Sequence, residues 1–379
     1  MLPTLKKTRE NIDSLLTVIS ADRSTITMCD FSSYGGPSDE WLAVEASLPP
    51  PVANQSVSEM ILKANEGREA IASKAMVSLS AQVHMRDHSI QTRDGYALEA
   101  RSYRPSSVPA SELLPVYMHF HGGGFVFGTL ASEDAICARI AVSVGVVVVN
   151  VNYRHAPEFI YPTAWDDAQD AFVWLHSHLH EINGDGQKVV LGGISAGSRL
   201  ISSLVLQKHL GKAASGCPDP VGQVLMIPSF VHAKCYEPQL KKMKDRSISS
   251  YVENEHAPIL PRSKMEFFEG LLNVENPDEA DLKLSPGNAT PEEVKGLPPT
   301  VFGITGLDPL RDEGLLYAKM LTEVGVPTDI NVFKGVPHGF RRFGDALSAS
   351  KRWDNVIDEG IKWVLSNPAA TNSFDVKEQ

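Results

Sequence analysis

The sequence predicts an α/β chain: a mostly parallel central sheet flanked by helices, with a helical cap. Three observations carry that prediction. Beyond residue 113, short apolar runs rich in β-branched residues alternate with stretches of helical period, the pattern of right-handed βαβ units. One of those runs, Val189-Val190-Leu191, leads through Gly192-Gly193 into Ile194-Ser195-Ala196-Gly197, which reads as strand, sharp turn and helix. The alternation is broken only over 230–275, where no strand signal is found, and the first eighty residues are likewise strand-poor.

Taken in order, residues 4–21 space Leu5, Ile12, Leu15, Leu16 and Ile19 as one face of an amphipathic helix. A loop-rich stretch follows over 25–55, with Gly35-Gly36 and Pro49-Pro50-Pro51. Ser56-x-x-Glu59 is a capping box that opens a helix over 60–78. Asp94-Gly95 between extended segments 88–93 and 96–104 signals a hairpin. Strands are expected at 115–120, 145–151, 188–192, 222–227, 299–304 and 328–333. Helices are expected at 132–143, 163–182, 196–210, 311–324 and about 347–366. Ser132 is the expected N-cap of the first of these and Gly145 its stop, while Gly325 followed by Pro327 stops the fourth. The division that results assigns 82–230 and 275–379 to the core. Residues 1–81 and 231–274 then form a cap over the C-terminal edge of the sheet.

Composition sets the outer bounds. The chain has 379 residues, 42% hydrophobic and 21% charged, which is globular and long enough for one large domain with an accessory part, or for two. A net charge of −11 without a basic face argues against a nucleic-acid partner. The four cysteines, Cys29, Cys137, Cys217 and Cys235, show neither metal-ligand spacing nor a disulfide framework. The N-terminal stretch lacks the features of a secretory signal, and the longest apolar run, 142–149, is too short to span a membrane, so an intracellular, cytoplasmic setting is expected. His176, His178 and His180 near a helix C-terminus suit the macrodipole better than a zinc site, for which no further ligands are in place. No metal and no organic cofactor are implied.

The chemistry centres on Ser195 within Gly193-x-Ser195-x-Gly197. A serine hydroxyl needs a neighbouring base, and the base needs a third group to orient it. Where a nucleophile stands on a strand-to-helix turn of this kind, the acid and then the histidine follow it in the chain. Of the twelve histidines only His209, His232, His256 and His338 follow Ser195. His209 ends the helix that begins at the serine, roughly 20 Å away at 1.5 Å per residue. His232 and His256 lie at or inside the strandless insertion. His338 follows a strand directly, where catalytic groups gather in parallel sheets. Asp308, just past the strand at 299–304, is the matching acid. Asp312 and Glu313 fall in the next helical turn, where acids favour the macrodipole without further role. After the strand at 115–120 comes His121-Gly122-Gly123-Gly124-Phe125, and its glycines allow backbone N–H groups to converge on a developing oxyanion. The expected donors are the amides of Gly123, Gly124 and Ala196. A phosphate-binding loop would want Lys-Ser or Lys-Thr next, and Phe125-Val126-Phe127-Gly128 follows instead.

These motifs resemble a known family. His121–Phe125 (HGGGF), Gly193–Gly197 (GISAG), Leu307–Gly314 (LDPLRDEG) and Val336–Phe340 (VPHGF) are similar to those of the hormone-sensitive-lipase group of α/β-hydrolase carboxylesterases. Asn152–Glu158 and Tyr161–Asp167 are similar to two further landmarks of that group. The resemblance covers about 82–230 and 275–366. It implies an α/β-hydrolase fold with a cap, a small-molecule ester substrate, Ser195, Asp308 and His338 as triad, and Gly123, Gly124 and Ala196 as oxyanion donors. His121, Gly122, Gly193 and Gly197 would support those motifs. The chain departs from the group at Ile194, where an acid is usual, at Ser198, where a glycine is usual, and at Asn152, where an aspartate is usual.

The expected activity is therefore a serine carboxylesterase. Two rivals share the fold: an acyltransferase, lactonase or amide hydrolase using the same triad, and a non-catalytic ligand receptor. Receptors of that kind typically lack the histidine, which is present here. A homodimer is left open.

Overall fold

The computed structural model describes residues 28–49 and 55–379, so the helix expected over 4–21 lies outside the described residues. Nine strands build one sheet: β1 (Val83–Gln91), β2 (Ala97–Pro105), β3 (Leu114–Phe120), β4 (Val147–Val151), β5 (Gly184–Ile194), β6 (Gly222–Met226), β7 (Thr300–Leu307), β8 (Thr328–Pro337) and β9 (Val376–Glu378). Their spatial order is β1-β2-β4-β3-β5-β6-β7-β8-β9. β1 and β2 form the Asp94-Gly95 hairpin, and β2 runs antiparallel to β4. Every other pairing is parallel.

The main helices are α1 (Asp39–Glu45), α2 (Val57–Leu79), α3 (Leu130–Ile140), α4 (Thr163–Ile182), α5 (Ala196–His209), α6 (Arg262–Leu271), α7 (Arg311–Glu323) and α8 (Ala349–Leu365). They cover both sheet faces, so the parallel strands read as near-continuous apolar runs rather than alternating ones. The two-residue period still sorts their side chains. Val116, Met118 and Phe120 of β3 join the cluster under α4, α5 and α7, with Phe172, Leu200 and Leu315. Tyr117 joins the opposite cluster, with Ile140 of α3 and Trp353 and Ile361 of α8. Each large apolar side chain buried this way contributes about 1.5–3 kcal/mol.

Some expectations shift in detail. Thr129, not Ser132, is the N-cap of α3; Ser132 is the third residue of a reciprocal capping box, its hydroxyl accepting from the Thr129 N–H. Gly145 does end that segment, at φ +79, but through a single π-helical turn over 141–145. The box at Ser56 and Glu59 opens α2 as expected. β5 begins at Gly184, earlier than expected, and β8 runs on to Pro337. β9 carries no sequence signal, being three residues of mixed polarity placed by pairing with Ile330, Asn331 and Val332 of β8. Residues 230–275 contain α6, short helical turns and no strand, with one isolated bridge between Met243 and Cys29. No helix among the described residues is long and apolar enough to cross a membrane.

Candidate active site

The parallel strands β5, β7 and β8 and the strand β3 all end on the same edge, and their following loops supply every residue of the site. At the end of β5 the chain must turn into α5 within one residue. Ser195 absorbs that turn, with φ 54 and ψ −113. Such a conformation costs a non-glycine residue of order 1–3 kcal/mol. It is held by the Ser195 N–H donating to Met226 O of β6 at 2.8 Å. Glycine is required on both sides by contact: a Cβ on Gly197 would lie 2.0 Å from Phe120 O, and one on Gly193 would lie 2.3 Å from the Gly197 carbonyl carbon. Ser198, one of the departures from the family pattern, is built in. Its buried hydroxyl donates within reach of Gly193 O (2.7 Å) and Met226 O (3.1 Å), pinning the first turn of α5 to the elbow.

Asp308 directly follows β7 and His338 directly follows β8. Ser195 Oγ is 2.9 Å from His338 Nε2, and His338 Nδ1 is 2.7 Å from Asp308 Oδ2. Asp308 is buried and accepts further bonds from Thr305 Oγ1 (2.9 Å) and from the Leu310 N–H (3.0 Å). Asn254 of the insertion donates to Asp308 O and Gly306 O, bracing the same loop from above. His209, His232 and His256 take no part in this chain of bonds.

The loop after β3 stands beside the nucleophile: a Cβ on Gly122 would lie 3.3 Å from Ser195 Cβ. Gly123 and Gly124 both take positive φ, +143 and +63. A Cβ would lie 1.8 Å from Phe127 O at Gly123 and 2.5 Å from the Phe268 ring at Gly124. Among the described residues, none accepts a hydrogen bond from the backbone N–H of Gly123, Gly124 or Ala196. His121 stacks on Tyr153 at 4.4 Å, and Tyr153 Oη donates to His121 O, so the loop's entry is rigid.

The model of a family described as alpha/beta hydrolase fold matches residues 117–342, more than half the chain. The chain belongs to the alpha/beta hydrolase fold family. Among its relatives, esterase LipI of Mycobacterium tuberculosis is 33% identical over 67% of this chain and 74% of its own length. The ethyl acetate hydrolase of Pseudomonas putida is 31% identical over 74% of this chain and 80% of its own length. The crystal structure of vibralactone cyclase superposes with a TM-score of 0.79 at 25% identity, covering 90% of this chain and 99% of that one.

Several groups that support the site of this alpha/beta hydrolase escape a sequence reading. The Asn152–Glu158 and Tyr161–Asp167 landmarks turn out to be one structural unit. Arg154 donates to buried Asp167 (Nη2–Oδ1 2.6 Å) and to Asp94 in the hairpin turn (Nη1–Oδ2 2.7 Å). Phe125 of the glycine loop stacks on Trp165 at 4.8 Å. Asn152 donates to Glu99 Oε2 at 3.1 Å. His178 stacks on Trp174 and its Nδ1 is 2.8 Å from Trp174 O; no group of three or more metal-ligating side chains occurs among the described residues.

Asp312 and Glu313 do sit in the first turn of α7, but both are buried. Asp312 Oδ2 accepts from the Ser250 N–H of the insertion at 2.7 Å. Glu313 accepts from the Phe230 N–H, and burial, partly opposed by Arg199, pushes its carboxyl up to about 8. The sign of the consequence follows from proton binding. A carboxyl with a folded pKa above its unfolded one holds its proton longer in the folded state, so its contribution is fully present below the unfolded value near 4.5 and is lost as pH rises through about 8. Glu313→Gln, which keeps an acceptor for Phe230, should therefore gain in melting temperature relative to wild type as pH goes from 5 to 8. A difference that stays constant over that interval would contradict the raised carboxyl.

Proposed function

We propose that this carboxylic ester hydrolase cleaves small esters through an acyl-enzyme on Ser195. Ser195 Oγ attacks the ester carbonyl while His338 Nε2 takes its proton and passes it to the departing alcohol. Asp308 holds the imidazole in the required tautomer and stabilises its charged form. The N–H groups of Gly123, Gly124 and Ala196 receive the carbonyl oxygen as it becomes an oxyanion, each donor worth on the order of 3 kcal/mol of barrier. Water, activated by the same histidine, then releases the acid. The observation that carries this reading is the unbroken bond chain from Ser195 through His338 to Asp308, 2.9 and 2.7 Å long, beside the glycine loop that follows β3. Residues 231–274, with the described part of 1–81, act as the cap: Phe268 of α6 lies against Gly124, and α2 contacts the same loop.

The test is turnover of p-nitrophenyl acetate together with labelling by a fluorophosphonate, followed by peptide mapping. Turnover with a single adduct on Ser195 is expected. No turnover and no adduct would leave a binding protein on a hydrolase fold.

A second reading keeps the same triad and the same acyl-enzyme. The same acyl-enzyme would pass its acyl group to an alcohol instead of water. Adding ethanol or glycerol to the ester assay and comparing released acid with new ester separates the two. Ester as the main product would move this chain to acyl transfer.

A further inference from the structure

Outside the triad, the most built feature near the site is an ion-paired chain that ends on the glycine loop. Arg68 of α2 donates from Nη1 to Gly122 O at 2.9 Å and from Nη2 to Glu133 Oε1 at 2.6 Å. Glu133 Oε2 is 3.1 Å from His119 Nε2 on β3. Glu133 is buried, and against the penalty of that burial Arg68 and His119 hold its carboxyl well below the usual range. The Arg68 guanidinium also lies over the Phe127 ring, 5.7 Å from its centroid. Two neighbours on the same face of α2 grip the far end of the loop. Asn65 Oδ1 accepts from the Gly128 N–H at 2.9 Å, and Glu69 Oε1 accepts from Thr129 Oγ1 at 2.6 Å. Residues 65, 68 and 69 share a face because they are three and four apart.

The bond to Gly122 O matters for a geometric reason. Gly122 C=O and Gly123 N–H belong to one planar trans peptide, so they point in opposite directions. Whatever fixes the carbonyl fixes the N–H. This peptide lies between two glycines, Gly122 and Gly123, with no Cβ on either side to fix it, and among the described residues its carbonyl accepts from two side chains, Arg68 and His121, whose Nδ1 is 3.0 Å away. His121 is buried and held well below its ordinary pKa, so Arg68 is the charged partner of the two. A cation on an amide oxygen also strengthens the dipole of that amide, and with it the N–H as a donor.

We propose that Arg68 is a positioning residue for ester cleavage: by holding Gly122 O, it aims and polarises the Gly123 N–H at the oxyanion. The role rests on the oxyanion reading given under Proposed function. It differs from a purely architectural clamp, which would stabilise α2 against α3 without distinguishing ground state from transition state. Losing an interaction felt only by the oxyanion lowers kcat and leaves KM in place. Deleting an oxyanion donor outright costs about 10²–10³ in kcat, and misaiming one should cost less, about 10–30-fold.

The experiment compares wild type, Arg68→Met and Arg68→Lys for kcat and KM on p-nitrophenyl acetate, and for Ki with an aryl trifluoromethyl ketone, whose serine adduct carries an oxyanion. Arg68→Met is expected to lose about 10–30-fold in kcat, keep KM within about twofold, and weaken the ketone by the same factor as kcat. Arg68→Lys, which keeps a charged donor, should lose only about threefold in both, and carries the comparison if Arg68→Met fails to fold. Unchanged kcat and Ki in a folded Arg68→Met, or a fall in kcat without a matching rise in Ki, overturns the proposal while leaving the triad intact. A wild type that hydrolyses the ester yet is not inhibited by the ketone would sink the oxyanion reading, and Arg68's role with it.

Discussion

Ser195→Ala is expected to lower kcat on p-nitrophenyl acetate on the order of 10⁶-fold, and the double variant Ser195→Ala/His338→Ala is expected to lower it no further. In the proposed mechanism the two side chains act on one proton. On that mechanism Ser195 Oγ is activated through its 2.9 Å contact with His338 Nε2, so removing either would leave nothing for the other to do. Asp308→Asn should cost about 10⁴-fold, because the amide no longer selects the tautomer in which Nδ1 carries the hydrogen. A residual rate above that of water should survive in all three, supplied by the N–H donors proposed in the glycine loop and by substrate binding. Steady-state kinetics on the purified variants decides it. Multiplying losses in the double variant would mean that Ser195 and His338 do not share a proton. Wild-type rates in Ser195→Ala would remove the nucleophile from the mechanism altogether.

The largest expected effect on stability lies under the site. Arg199, one turn into α5 from Ser195, is buried. It donates from Nη2 to Glu269 Oε1 of α6 (2.7 Å), Val231 O (2.8 Å) and Ser229 Oγ, and it lies over the Phe125 ring, 5.4 Å from its centroid. Glu269 is also buried and faces His232 Nε2 at 3.2 Å. Arg199→Met should destabilise by about 3–5 kcal/mol, since it leaves a carboxylate in a dry interior without its cation. Arg199→Met/Glu269→Leu should recover most of that, because the cost comes from the orphaned charge and not from the loss of the pair. Urea unfolding of wild type, both single variants and the double closes the cycle. An Arg199→Met loss under about 1 kcal/mol, or a double variant less stable than the singles, would contradict this account. Glu269 neighbours Phe268, which abuts Gly124, so the same pair ties the insertion to the glycine loop.

The sequence by itself determined most of the sheet, and it singled out Ser195 as the candidate nucleophile and the order in which its candidate partners follow. Those signals are local or one-dimensional. β-branched runs bury on both faces of a parallel sheet, a strand-to-helix turn needs glycines where backbones nearly touch, and only four histidines follow Ser195. The site was legible for the same reason, since each member sits just past a strand end. Tertiary structure alone decided what holds that site. Arg68 meets Gly122 across 54 positions, and Arg199 meets Glu269 across 70. An arginine on an amphipathic helix reads the same whether water or a buried carboxylate takes its charge. Glu313 looked like an acid at a helix N-terminus and is one, yet packing around α7 removed its water and raised its carboxyl. β9, three residues long, exists only because β8 offers it an open edge. Local pattern carries backbone conformation and burial, whereas the pairing of charges between layers is settled only when the helices dock.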